Sequence, residues 1–64
     1  MMDIKKGFCK IKTIEYIMYG EITEIFDDFV LFLDYTPPAV EISVNKKDIL
    51  QYEQIKENDI PQYE

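Results

Sequence analysis

In Val40-Glu41-Ile42-Ser43-Val44-Asn45 the branched residues Val40, Ile42 and Val44 alternate with the polar residues Glu41, Ser43 and Asn45. A period of two puts the first set on one face of a pleated strand and the second on the other, the pattern of a half-buried β-strand. Just upstream, Thr36-Pro37-Pro38-Ala39 reads as a turn, because neither proline can donate to a ladder and Pro37 restricts the backbone of Thr36. Before that turn, Phe29-Val30-Leu31-Phe32-Leu33 is apolar at every position and is bounded by Asp27-Asp28, which suits a central strand covered on both faces.

Farther out, Tyr19-Gly20-Glu21-Ile22-Thr23-Glu24-Ile25-Phe26 alternates until Ile25 and then breaks register. A bulge or sharp bend accounts for both the break and the interior Gly20. Phe8-Cys9-Lys10-Ile11-Lys12-Thr13-Ile14 supplies a first strand, with a turn near Glu15-Tyr16. After Val44, Asn45-Lys46-Lys47-Asp48 carries a variant of the capping box, with only Ile49-Leu50 following, so a single 3₁₀ turn is expected there. Leu50 to Ile55 then forms a short closing strand, and 56–64 is a polar tail on a domain spanning 1–55. A helix over 21–33 would also match the spacing of Ile22, Ile25, Phe26, Phe29 and Leu33. The paired aspartates and the excess of β-branched and aromatic residues favour strands: ten Ile, five Tyr and four Phe stand against three Leu and one Ala.

Five short strands, the second bent and the last preceded by a 3₁₀ turn, form an all-β pattern that resembles the small five-stranded antiparallel barrels of the Src-homology-3-like and Sm-like types. The resemblance is carried by residues 19–55. Gly20 to Leu31 is similar to the Sm-type run of glycine, bent apolar strand, Asp-centred turn and second apolar strand. Val40 to Ile49 is similar to the fourth strand and the approach to the fifth. The resemblance implies a barrel that assembles into rings or through its strand edges, with RNA-contacting residues at the Asp turn and the end of the fourth strand. At those places this chain has the doubly acidic Asp27-Asp28, with no Asn following, and the basic pair Lys46-Lys47.

Size and composition limit the function. Sixty-four residues allow one small core, burying about 60% of the unfolded surface. Cores of this size lean on disulfides, metals, dense packing or partner subunits. A single Cys and no His leave no internal disulfide and no zinc-type ligand set, so dense packing or a homo-oligomer is expected. No apolar run reaches the roughly 18–20 residues of a membrane span. The first residues lack the apolar stretch of a secretory signal, so a cytoplasmic protein is expected, with Cys9 a core or surface thiol. No nucleophile–base pair can be assembled from one serine and no histidine, and two separated glycines make no phosphate loop, so neither catalysis nor a cofactor is expected.

Charge is distributed unevenly. Residues 1–19 carry four lysines against two carboxylates, net +2, and residues 20–64 carry three against eleven, net −8. An acidic surface repels phosphate backbones and suits a basic protein partner, although a solvated surface kept for solubility has the same composition. The partner-contact candidates are Glu24, Asp27, Asp28, Tyr35, Pro37, Pro38, Tyr52 and Tyr63, as clustered carboxylates and amphipathic rings near rigid prolines. Adjacent aspartates at a turn also cap backbone N–H groups, and tyrosines also sit at core edges with their hydroxyls in water. Lys10, Lys12 and Tyr16, with Phe8 and Ile14 on the same strand face, could form a basic-aromatic strip for single-stranded nucleic acid, joined by Lys46 and Lys47. The same lysines fit an edge strand guarded against aggregation. The leading expectation is a non-catalytic acidic module that binds another protein, in one form a small inhibitor of the kind mobile elements encode. The rivals are an Sm-like RNA-binding ring and a small-molecule or nucleotide sponge formed between subunits.

Overall fold

The computed structural model describes residues 3–35 and 39–61. Five strands form one antiparallel sheet: β1 (Gly7–Lys12), β2 (Ile17–Ile25), β3 (Phe29–Asp34), β4 (Val40–Asn45) and β5 (Gln51–Gln54), in the spatial order β4-β3-β2-β1-β5. A 3₁₀ turn at Lys46–Asp48 precedes β5, as the short apolar pair after Asn45 predicts. Asn45 caps it, its side chain accepting from the Lys47 N–H at 3.0 Å. There is no α-helix among the described residues, and so none long and apolar enough to cross a membrane. Residues 21–33, where a helix competed on spacing, are two strands joined by a tight turn.

The expected barrel is not closed. β4 and β5 are the two edges of the sheet, and no ladder joins them among the described residues. The core lies on one face of the sheet. Cys9 and Ile11 of β1, Met18 and Ile22 of β2, Val30 and Phe32 of β3 and Val44 of β4 fill it, and Ile49 caps it from the connection to β5. The alternation read in β4 holds for Ile42 and Val44, but Val40 is 47% exposed because it lies at the outer end of the edge strand. β3 runs between β2 and β4, with Val30 and Phe32 fully buried and Leu31 and Leu33 half-buried on the reverse face.

The register break expected in β2 is a bulge at Thr23. Ile22 pairs with Phe32, Glu24 with Leu31, and Thr23 is the extra residue. The bulge explains why Ile22 and Ile25, three apart, both face the core: one surplus residue restores the side on which Ile25 points. Gly20 serves a different purpose. A Cβ there would collide with the Leu33 carbonyl and lie 2.9 Å from the Phe32 ring, so glycine allows β2 and β3 their close approach.

In the segment 56–64, Glu57–Asp59 forms a second 3₁₀ turn and Ile60 is 8% exposed, outside the main core cluster. Pro37, Pro38 and Tyr63 lie outside the described residues.

Burial pushes the Cys9 thiol up to about 11, a backbone hydrogen bond at Ile22 working weakly the other way. Tyr52 and Tyr35 are also raised, chiefly by desolvation. Each group therefore binds its proton more tightly when folded. The stability this confers is whole below the unfolded values and is lost as pH rises through the folded ones. Two results are expected. Cys9 resists alkylation at pH 8 until the chain is unfolded, and the thermal midpoint falls when the pH is raised from about 9 to about 11. Thiol-reagent kinetics and melts across that range check both.

Candidate functional site

Four residues, Thr13 to Tyr16, connect β1 to β2, with Ile14 and Glu15 at the tip. Thr13 N–H donates to the Tyr16 carbonyl at 2.8 Å, and the Thr13 hydroxyl accepts from the Tyr16 N–H at 3.1 Å. Turn positions commonly hold glycine or short polar residues. Here the hairpin tip displays Ile14, 85% exposed, with Tyr16 at 63% and Ile17 at 53%. Three bulky apolar side chains in water at one tip serve no folding purpose inside this chain.

The sheet bends so that this tip stands across from β4. Between them lies an open groove of about 600 Å³. Its floor includes Met18, Ile42 and Val44, its near wall is Ile14, Tyr16 and Ile17, and Glu15, Asp34 and Asp48 supply its charge. No lysine is among the residues that line it. Asp48 is held there by the 3₁₀ turn, which is fixed by hydrogen bonds from the Lys46 N–H to the Asp28 carbonyl and from the Ile49 N–H to the Lys46 carbonyl.

Among the described residues, one edge of the groove is a strand with no partner on its outer side. The Lys46 N–H bond to the Asp28 carbonyl fixes the ladder's phase, because those residues are opposed in the register that pairs Val44 with Val30. In an antiparallel ladder, hydrogen-bonded and non-hydrogen-bonded pairs alternate. Val40, Ile42 and Val44 therefore bond to β3, while the N–H and C=O groups of Glu41 and Ser43 point away from it along the open edge. The groove thus offers, side by side, apolar surface, negative charge and backbone polar groups that no described residue pairs with.

Of the residues singled out from sequence that the structure describes, Ile14 and Tyr16 line the groove and the others do not. Tyr35 donates from its hydroxyl to Glu21 Oε1 at 3.0 Å and packs its ring 6.0 Å from Phe8, so it is half-buried and internally engaged. The Tyr52 hydroxyl donates to the Lys5 carbonyl at 3.1 Å and accepts from the Lys5 N–H at 3.2 Å, tying the N-terminal segment to β5. Glu24 is exposed and pairs with Lys6 at 3.4 Å. Asp27 and Asp28 occupy the exposed β2–β3 turn, flanked by the stacked rings of Phe26 and Phe29, 4.7 Å apart. The basic-aromatic strip divides at the hairpin. Phe8, Lys10 and Lys12 share the face opposite the core, with the Lys10 ammonium 5.8 Å from the Tyr19 ring centroid, whereas Ile14 and Tyr16 line the groove. Lys46 and Lys47 lie in the 3₁₀ turn, outside the groove lining. Among the described residues no group of three His, Cys, Asp or Glu side chains is placed to hold a metal ion.

No family model, no curated protein and no solved structure matches this chain.

Proposed function

We propose that this chain is a non-catalytic, acidic binding module that works by protein–protein contact, in the cytoplasm, on a fold of the small-barrel type. The barrel reading is supported by the element order, the bulged β2 and the 3₁₀ turn before β5; closure would need β4 and β5 to meet. The binding reading is supported above all by the groove between the β1–β2 tip and β4, where exposed Ile14, Tyr16 and Ile17 face a strand edge and the only charged side chains are carboxylates. A basic protein satisfies both the charge and the apolar surface. A small inhibitor occupying a basic site on another protein is one form of this activity. The β5 edge, on the far side of the sheet, is available to a second copy, which would also relieve the small core.

The test is capture on the immobilised chain, followed by repeat binding with the purified partner. The expected partner is basic, binds the wild type, and is lost on the double substitution Ile14→Ser and Tyr16→Ser, which removes exposed side chains and leaves the core intact. Labelled RNA oligonucleotides are expected not to bind at about 0.05 M salt, where the Debye length exceeds 10 Å. RNA binding under those conditions, or a partner indifferent to the two serines, would overturn the reading.

A further inference from the structure

We infer that the groove takes an extended segment of alternating apolar and basic residues, which adds antiparallel to the free edge of β4. This rests on the reading of the chain as an acidic protein-binding module and specifies how that module binds.

Three observations fix the occupant. First, the free edge presents the N–H and C=O groups of Glu41 and Ser43, two residues apart, which is the spacing an added strand satisfies and a folded surface of side chains does not. Second, the two faces of such a strand meet different chemistry. Residues opposite Ile42 and Val44 point into the groove toward Met18, Tyr16 and Ile17, so they are apolar. Residues opposite Glu41, Ser43 and Asn45 point to the reverse face, where Glu41 favours a cation. Third, Glu41 is the charged residue of β4 and lies on the reverse face, and the chain as a whole carries −6, so the outward positions of the incoming segment are basic. A second copy of this chain is disfavoured at this edge. Pairing β4 with itself would bring two sets of the groove's carboxylates together on chains that each carry −6.

The register makes the inference testable on the ligand alone. In an antiparallel addition, the residues opposite Glu41 and Ser43 exchange both backbone hydrogen bonds with them, and these are the basic residues. The amides of the apolar residues point away from β4. The probe is an acetylated and amidated heptapeptide of alternating lysine and valine with lysine at both ends, followed by titration calorimetry at low salt. N-methylation of the valine amides is expected to leave affinity within about threefold. N-methylation of the two central lysine amides removes two hydrogen bonds and is expected to weaken binding about tenfold or more.

Ser43→Pro is the matching change on the protein. It removes an N–H that β3 does not use, at an edge position where proline is tolerated, so the melt is expected to stay cooperative while peptide binding falls about tenfold. Should that variant fail to fold, the methylated pair still decides the matter. Equal binding of the three peptides, or stronger loss from valine methylation, overturns strand addition. If a captured basic protein still binds a folded Ser43→Pro chain, strand addition fails while the acidic module stands. If neither peptide nor basic protein binds, both fail.

Discussion

Gly20→Ala is expected to remove most of the stability of this fold, with the thermal midpoint falling by roughly 12 °C or more, or the cooperative transition disappearing. Gly20 is buried in β2, opposite Cys9 on one side and Asp34 on the other. The added methyl would strike the carbonyl of Leu33 and approach the Phe32 ring to 2.9 Å. Neither neighbour can move cheaply. Leu33 pairs with Glu21, so swinging its carbonyl disrupts the β2–β3 ladder, and Phe32 is fully buried at the centre of the core. Overpacking of this kind costs about 1–3 kcal/mol, and more where the backbone is the obstacle. A chain of this length has a total of only about 3–10 kcal/mol to lose, and each kcal/mol is worth about 4–8 °C. Gly7→Ala is the informative contrast. It meets open space, so its cost comes only from holding alanine at a φ of 120°. Thermal melts of the two variants check the argument, and a Gly20→Ala midpoint within about 4 °C of wild type would show that β2 and β3 can separate without loss.

The contrast also shows which parts of the molecule could be read from sequence. β3 and β4 follow from local pattern: an unbroken apolar run and a strict alternation are set by the pleat itself. The bulge was visible as the three-residue spacing of Ile22 and Ile25, although its position at Thr23 depends on which residue β3 leaves unpaired. The internal hydrogen bonds of Tyr35 and Tyr52 were not legible, because their hydroxyl partners lie 14 and 47 positions away, beyond any local pattern. The burial of Ile60 was hidden in a polar neighbourhood for the same reason. The groove was missed because curvature, not periodicity, carries the hairpin tip to β4. One signal was present. Ile14, Tyr16 and Ile17 crowd a tight turn where polar residues are usual, and such an anomaly marks a surface shaped by something other than the fold.

Reversing the groove's charge separates binding from folding. The double substitution Glu15→Lys and Asp48→Lys is expected to weaken the alternating lysine–valine peptide by roughly three- to tenfold near 0.15 M salt, while the thermal midpoint stays within a few degrees of wild type. Both side chains are exposed, and neither makes an ion pair or side-chain hydrogen bond among the described residues, so folding has little to lose. Binding has more at stake, because the field of the groove on a peptide carrying four lysines changes from attraction to repulsion. The neutral pair Glu15→Gln and Asp48→Asn is expected to fall between the two, since it removes attraction without adding repulsion. Salt provides the internal check. Charges at an exposed rim are screened over about 3 Å at 1 M, so the three proteins should converge there on the affinity supplied by the apolar groove and the β4 edge. A gap that persists at 1 M salt would mean that the substitutions had reshaped the groove rather than its field.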